Sequence, residues 1–333
     1  MSDSLKSDCT DCGDQTLSRR DFVRRVAGVA VAGGLLPLAA SARPAFGKPS
    51  KTSDAESGVK RFYDTLTEPQ KKAICFPFDH DLRNKINANW AVTKPTIEEF
   101  YTKDQQALLH EITRGVLSPD GYDRVMKQME DDDGGFGRYH VAVFGTPGSG
   151  QFEWELTGRH VTLRADGDSL ANVAFGGPLV YGHGEGDGKK GLPGNVYYYQ
   201  TQKANEVFKA LEGKQRDAAL VAKAPKESAV QVQGNAGHFP GLALGDLSSD
   251  QKGLVESVMK VILAPYREED VNEALAILKD GGGLDTLHMA FYQSDDLGND
   301  KEWDIWRLEG PDFVWHFRGA PHVHAYVNIA RKA

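Results

Sequence analysis

Residues 312–329, with the sequence DFVWHFRGAPHVHAYVNI, carry the clearest structural pattern in this chain. Apolar and polar residues alternate on both sides of Gly319-Ala320-Pro321, which is typical of two β-strands that each bury one face. A short connection between two such strands favours antiparallel pairing. The segment therefore predicts a hairpin, with one strand over 312–318 and the next over 322–329.

The polar face of this predicted hairpin carries several histidines. Because successive side chains point to opposite faces of a strand, His322 and His324 project from one side together with Tyr326. His316 and Arg318 lie on the polar face of the preceding strand. If the strands pair as predicted, three imidazoles lie on one face of the sheet, with an arginine and a tyrosine beside them.

Strand-like alternation occurs in two separated stretches of the chain, with helical periodicity before and between them. The other predicted strands are 139–144, 152–156, 160–164, 285–292 and 303–308. The predicted helices lie within 96–133, 203–221 and 248–279. This order indicates an α+β fold in which an antiparallel sheet joins the two stretches and helices pack on it. Because such a sheet cannot be divided between them, we predict a single domain over residues 58–333.

The composition indicates a globular protein with an ordinary core. Of the 333 residues, 40% are hydrophobic and 26% are charged, which allows enough apolar surface to be buried. The chain has 39 Lys and Arg against 47 Asp and Glu, a net charge of −8. An acidic protein has no general attraction for a phosphate backbone or an anionic membrane surface. Nucleic acid is therefore not expected as a partner.

The first 42 residues resemble a twin-arginine export signal. Arg19 and Arg20 precede an apolar run over 26–40, and Ala40-Ser41-Ala42 has the small residues of a cleavage site. This run of about 15 apolar residues, interrupted by glycines, is too short for a membrane span, which needs about 20. We therefore predict the twin-arginine machinery as a partner and no stable membrane insertion. Cleavage near Ala42 would leave a linker over 43–57 and a periplasmic or extracellular protein.

Further polar residues could complete a metal site. His160 and Arg164 share the polar face of the strand predicted at 160–164, and His183 lies in a Gly-rich loop with Glu185 and Asp187. A divalent metal needs three or four ligands, and two histidines at i and i+2 supply two of them. Imidazole ligation suits zinc, copper, iron or manganese without choosing among them. The predicted metal ligands are His160, His183, His316, His322 and His324; the residues predicted to bind or position an anionic substrate group are Arg164, Arg318 and Tyr326.

Two less specific interpretations accompany this prediction. A His-x-His pair in a strand can be an ordinary hydrogen-bonded pair without a metal.

Glu153 and Glu155 share one face of another predicted strand, and two carboxylates about 7 Å apart could act on a glycosidic bond. Charged residues at such positions are more often exposed on a solvated strand face. We therefore expect both glutamates at the surface.

Three segments together resemble a bacterial family known as domain of unknown function 3500. They are GRHVTLR at 158–164, FGGP at 175–178, and the ending from Gly310-Pro311 to His322-Val323-His324. The likeness covers most of residues 60–330. No established activity comes with this family, so the functional predictions depend on the residues themselves.

Three functions are compatible with these patterns. The first is an exported metal-dependent enzyme that acts on a small polar substrate at a histidine-lined site. Hydrolysis is preferred over oxidation because nothing in the sequence indicates a redox partner. The second is a non-catalytic periplasmic protein that binds a metal or a sugar-like ligand on the same face. The third is a structural envelope protein with no site. An open coordination position would distinguish the first from the second.

Overall fold

The strands found in the described residues form one sheet of eleven. In chain order they are β1 (Cys75–Phe76), β2 (His140–Gly145), β3 (Phe152–Gly158), β4 (Val161–Ala165), β5 (Leu179–His183), β6 (Leu220–Val221), β7 (Leu242–Ala243), β8 (His288–Tyr292), β9 (Ile305–Gly310), β10 (Phe313–Arg318) and β11 (Val323–Ile329). Their order in the sheet is β1-β2-β3-β4-β5-β11-β10-β9-β8-β6, and β7 also pairs with β8. Only β1 with β2 and β6 with β8 are parallel pairs within this part of the chain.

The computed structural model describes residues 47–184, 194–297, 300 and 302–332. The predicted export signal and the first residues of the predicted linker lie outside these ranges. Glu185 and Asp187 of the predicted Gly-rich loop lie outside them as well. The strands and helices of the described residues all belong to one unit of the chain, residues 46–333.

Helices precede each group of strands, as predicted. They are α1 (Asp54–Thr65), α2 (Glu68–Ile74), α3 (Ile97–Phe100), α4 (Lys103–Gly115), α5 (Pro119–Asp133), α6 (Tyr198–Lys209), α7 (Lys214–Ala219), α8 (Ser249–Leu263) and α9 (Glu268–Asp280). Helix α4 begins at a capping box formed by Thr102 and Gln105, and α8 begins at one formed by Ser248 and Gln251. In the residues that the structure describes, no helix has the length and apolar character needed to cross a membrane.

Helix α1 begins inside the segment 43–57 that the sequence predicts as a linker. Its Val59 and Phe62 are fully buried, and they belong to the main core. Ser53 occupies the N-cap position, and Asp54 and Glu56 lie in the first turn. The serine and glycine content of the segment indicates flexibility, but burial of one helix face stabilises a regular structure there.

The two separated stretches of chain meet between β5 and β11, as the α+β prediction requires. The strands are antiparallel, with Tyr181 opposite Ala325 and Gly182 opposite His324. The predicted terminal hairpin is present as β10 and β11, with Arg318 opposite His324. The prediction of an α+β fold with an antiparallel sheet from two stretches is therefore confirmed.

One face of the sheet is apolar and packs on the helices. Trp154, Trp306 and Trp315 on this face are fully buried in the main core, which also includes residues of α1, α4, α8 and α9. Burial of such aromatic side chains contributes about 3 kcal/mol each. The alternation of apolar and polar residues along β3, β9 and β10 therefore leaves the other face polar.

Two mostly irregular segments lie over the polar face of the sheet. The first covering segment, residues 77–96, contributes Ile86 and Ala88 to a small apolar cluster with Tyr326. The second covering segment, residues 222–241, contributes Val230 to the same cluster. These two segments cover the polar face and exclude water from it. Its buried charged side chains therefore need ion-pair or hydrogen-bond partners within the protein.

Candidate metal centre

Three of the five histidines predicted as ligands meet at one end of the central strands. Val161 of β4 pairs with Tyr181 of β5, and His324 of β11 pairs with Gly182 of β5. The start of β4, the end of β5 and the start of β11 are therefore neighbours. His160, which precedes β4, and His322, which precedes β11, lie beside His324 in this region.

One nitrogen from each of His160, His322 and His324 lies within 4.8 Å of the other two. The Nε2 atoms of His322 and His324 are 2.9 Å apart. The ring centroids are separated by 4.6 to 5.0 Å. Nitrogens bound to one tetrahedral ion at 2.0–2.1 Å lie about 3.3 Å apart, so movements of about 1 Å would bring these rings into a coordinating arrangement.

Two carboxylates orient the imidazoles from outside the cluster. The Nδ1 of His160 is 2.7 Å from Oδ2 of Asp132, and the Nδ1 of His324 is 2.9 Å from Oε2 of Glu227. Because an ionised carboxylate can only accept, each Nδ1 donates its proton and leaves Nε2 as the acceptor. Histidine ligands in metal sites have the same carboxylate partners, which fix the tautomer and the ring orientation.

Helix α5 and the residue that follows strand β5 hold Asp132 in position. Gln128 Nε2 donates to Oδ2 of Asp132 at 2.8 Å, and the Gly184 backbone N–H donates to Oδ1 at 2.8 Å. Burial raises the pKa of Asp132, but the hydrogen bond with His160, together with those from Gln128 and Gly184, outweighs burial and lowers it overall. Asp132 is therefore ionised at neutral pH and keeps His160 in the tautomer that a metal requires.

Glu227 of the second covering segment connects His324 to Arg318. Arg318 Nη1 lies 2.8 Å from Oε1 of Glu227. Burial raises the pKa of Glu227, but the hydrogen bond with His324 and the charge of Arg318 lower it below its ordinary value. Burial lowers the pKa of His324 to about 4 despite the neighbouring carboxylate. At neutral pH a charged glutamate therefore faces a neutral imidazole, the form of histidine that binds metals.

The backbone at His160 has an unusual conformation. His160 lies in the two-residue connection between β3 and β4 and has φ +57°, in the left-handed region. Its N–H donates to the Ala88 carbonyl at 2.6 Å, and the Ala88 N–H donates to the Tyr326 hydroxyl at 2.9 Å. A Cβ at Gly182 would meet the Val323 carbonyl and would lie 3.3 Å from the His160 Cβ. The missing side chain at Gly182 therefore leaves room for the Cβ of His160 and for the Val323 carbonyl.

This conformation predicts different effects for two substitutions of His160. In metal-free protein, His160→Gly is expected to be more stable than His160→Ala by about 1 kcal/mol, because a left-handed φ costs alanine about 1–2 kcal/mol and costs glycine little. Both variants lose the imidazole and its bond to Asp132, so the pair isolates the backbone effect. Urea denaturation in the presence of a chelator measures the difference. Equal stability of the two variants would contradict a strained turn.

A comparison with protein families bears on this arrangement. The model of the family described as Protein of unknown function (DUF3500) matches residues 48–330. The chain belongs to this family. The comparisons with curated proteins and with solved structures found no match. The family match includes all three clustered histidines and both orienting carboxylates of this DUF3500 chain.

The remaining two predicted ligands of the DUF3500 chain lie outside the cluster. His183 uses both ring nitrogens elsewhere, because Nδ1 accepts from the Val196 N–H at 3.1 Å and Nε2 lies 3.0 Å from Oδ2 of Asp131. His316 lies on β10 opposite Tyr326 and is fully buried, with its Nδ1 accepting from Arg307 Nε at 3.3 Å. Neither is part of the group of three.

The three residues predicted to contact substrate have different positions. Arg318 is next to the cluster, with Nη2 3.4 Å from Nε2 of His322. The Tyr326 hydroxyl accepts from the Ala88 N–H and lies in an apolar cluster. Arg164 is fully buried away from the histidines, where its Nη1 donates to carboxylates of both Glu153 and Glu155.

The expectation that Glu153 and Glu155 are exposed is wrong, because both are fully buried. They lie beneath the first covering segment, where Arg83 Nη1 is 3.3 Å from Oε2 of Glu153 and the Arg83 carbonyl accepts from Arg164 at 2.7 Å. Alternation along β3 places the glutamates on the polar face. A covering segment without periodicity cannot be assigned to that face from the sequence.

The sequence prediction missed Asp132 and Glu227, the two residues that orient the histidines. Asp132 lies in an acidic run at the end of α5, a position that signals a helix end and not a binding site. Glu227 lies in an irregular stretch whose sequence, Ala224-Pro225-Lys226-Glu227, indicates a loop. The signal that could have led to them is chemical. Imidazoles that bind a metal usually have carboxylate or carbonyl partners, so acidic residues near the histidines should be sought.

Proposed function

We propose that this protein is an exported metal-dependent enzyme that binds a divalent metal through His160, His322 and His324. The supporting observation is the convergence of three imidazoles, two of which are oriented by the carboxylates of Asp132 and Glu227. Histidines that cluster by chance do not require carboxylates bonded to their Nδ1 atoms. The same arrangement is the usual surrounding of histidine ligands in metalloproteins. Zinc, copper, iron and manganese are all candidates.

A site with three protein ligands suits catalysis better than a structural role. Structural zinc sites usually have four protein ligands, whereas catalytic sites keep a position open for water or substrate. A metal in such a site supplies Lewis acidity and lowers the pKa of bound water. This chemistry favours hydrolysis of a small polar substrate. Arg318 lies within 3.4 Å of the cluster and offers a positive charge to an anionic substrate group.

The proposal includes export through the twin-arginine route to the periplasm or the cell exterior. The paired arginines at 19 and 20, the short apolar run and Ala40-Ser41-Ala42 support it. Because this route carries folded proteins, a metal can be bound before export. Selective metal loading in the cytoplasm is then compatible with a function outside it.

X-ray absorption spectroscopy of the zinc-loaded protein tests the coordination. We expect one zinc per chain, with three imidazole nitrogens and one solvent oxygen as ligands. Hydrolysis of p-nitrophenyl acetate by wild type, and not by the His322→Ala variant, would support an enzyme. Four protein ligands and no hydrolysis would favour the alternative of a non-catalytic metal-binding protein. Wild-type protein that binds no zinc would contradict the metal proposal, and sugar binding at the same face would then favour a sugar-binding protein.

A further inference from the structure

A cavity lies on the same face of the sheet, over β8 and β9 and beneath the second covering segment. Its volume is about 460 Å³. Tyr292, Arg307 and Glu309 line it from the sheet, and Ala224 and Gln233 line it from the covering segment. None of the three clustered histidines contributes to its walls.

Three buried polar atoms in this region have no hydrogen-bond partner within the described part of the chain. They are the Tyr292 hydroxyl, Nη2 of Arg307 and Nε2 of His316. The three side chains are neighbours. Arg307 Nε donates to Nδ1 of His316 at 3.3 Å, and the ring centroids of Tyr292 and His316 are 6.4 Å apart. Unpartnered polar atoms are rare in protein interiors, and each requires an explanation.

All three atoms can act as hydrogen-bond donors. The arginine nitrogen can only donate, and the tyrosine hydroxyl can donate or accept. Burial and the neighbouring charge of Arg307 lower the pKa of His316 to about 3, so its ring is neutral at neutral pH. Because Nδ1 of this neutral ring accepts from Arg307, its proton is on Nε2. Tyr292 and Arg307 line the cavity, whereas His316 is not part of the lining and holds the Arg307 guanidinium through Nδ1. The two lining donors are suited to a ligand rich in acceptor oxygens.

The charge around the cavity favours a singly charged anion. Arg307 Nη1 lies 3.4 Å from Oε1 of Glu309, which also accepts from Gln233 Nε2 at 3.1 Å. Within this lining, Lys223 adds a second positive charge. One negative and two positive side chains leave a net charge of about +1, which matches a carboxylate better than a doubly charged phosphate.

The rest of the cavity is apolar. Val221 and Ala224 pack against a small cluster formed by Ala290, Tyr292 and Ile305. Pro225 and Pro240 complete this side of the lining. A ligand with an apolar body would be buried by these residues while its polar group met the donors.

We propose that this cavity binds the carboxylate of a small organic acid, with Tyr292 and Arg307 donating to its oxygens and the apolar lining holding its body. The proposal does not depend on the metal centre, because neither donor is among the proposed ligands. Arg307 contacts His316, which is two residues from Arg318 on β10, about 7 Å along the strand. A bound acid would therefore lie near the histidine cluster.

Isothermal titration of the purified protein with benzoate, butyrate, benzamide and inorganic phosphate tests this proposal. We expect benzoate and butyrate to bind, and benzamide and phosphate to bind at least about 10-fold more weakly. Tyr292→Phe is expected to lower benzoate affinity about 10-fold, the effect of one hydrogen bond to a charged group. Tyr101→Phe is a matched control, because its hydroxyl is also buried and lacks a partner among the described residues but lies in the main core.

Several outcomes would overturn the carboxylate proposal. They are no binding of benzoate or butyrate, equal affinity for benzamide and benzoate, and an unchanged affinity in Tyr292→Phe. Arg307→Lys keeps the charge but loses the guanidinium donors, and it should also weaken benzoate binding by at least about 10-fold. Titrations with and without zinc separate this proposal from the metal proposal, since benzoate is expected to bind metal-free protein.

Discussion

Replacing His322 or His324 with alanine is expected to lower the affinity of the protein for zinc by more than about 100-fold, because each substitution removes one of the three proposed ligands. Removing an orienting partner has a smaller effect. Asp132→Asn and Glu227→Gln are each expected to cost about 10- to 100-fold, since the imidazole remains but its tautomer and orientation are no longer fixed. Competition with a chromophoric chelator measures all four affinities.

His140→Ala provides the matched control for these variants. Like His322 and His324, His140 is partly buried, but it lies on β2 and its Nδ1 is 3.0 Å from the Pro95 carbonyl. We expect its affinity for zinc to equal that of wild type. Zinc retained at full affinity by His322→Ala and His324→Ala would contradict the proposed centre, and so would an equal loss in His140→Ala. Circular dichroism of each metal-free variant shows whether the fold is kept.

The free energy of unfolding is expected to fall as the pH rises from about 6.5 to about 8. In this range His316 and His324, whose pKa values burial lowers, are neutral in the folded protein and mostly neutral in the unfolded protein, so they oppose the effect little. Burial raises the pKa of Glu155 to about 8, despite the opposing charge of Arg164, and the nearby Glu153 raises it further. In the unfolded chain the same carboxyl ionises near pH 4.5. Between these values the folded state holds a proton that the unfolded state has released. Raising the pH therefore favours unfolding, by about 1.4 kcal/mol per pH unit for one such carboxyl.

Two other buried carboxyls act in the same direction. Burial raises the pKa of Asp166 to about 7 and that of Glu273 to about 8. Their contribution to stability is complete below their unfolded pKa values and is lost as the pH approaches the folded ones. The protein is therefore expected to be a few kcal/mol more stable at pH 6.5 than at pH 8, provided that metal is absent from both samples.

Glu155→Gln tests the origin of this pH dependence. Glutamine has nearly the shape of glutamate but does not ionise, so the variant should lose part of the dependence and be more stable than wild type at pH 8. Glu212→Gln is the control at an exposed position and should keep the full dependence. Urea denaturation at half-unit intervals from pH 6.5 to 8 gives the slopes. A wild-type slope of zero or of opposite sign would contradict the prediction.

The sequence predicts local features of this fold well. Period-two alternation predicts that His324 of β11 and His322, which immediately precedes the strand, share one side, and their ring centroids are 4.6 Å apart. Gly319-Ala320-Pro321 marks the connection of the terminal hairpin. The order of strand and helix signals is enough for the α+β class. These features depend on neighbouring residues in one segment, where the backbone period determines which side chains share a face.

The rest of the candidate site depends on contacts between distant segments. Arg164 and His160 belong to the same predicted polar face, but the left-handed backbone at His160 directs that residue to the end of the strand, toward Asp132. Arg164 is instead paired with Glu153 and Glu155 beneath a covering segment. Neither outcome follows from periodicity, because one is set by a turn and the other by an irregular segment.

The join between β5 and β11 also sets the order of events during biosynthesis. His160 precedes β4, whereas His322 and His324 come more than 150 residues later in the chain. A growing chain can therefore form the three-histidine group only after β11 has been synthesised and has paired with β5. A fragment that ends before β11 would lack two of the three imidazoles, so an ion bound by all three would distinguish chains that contain β11 from those that do not.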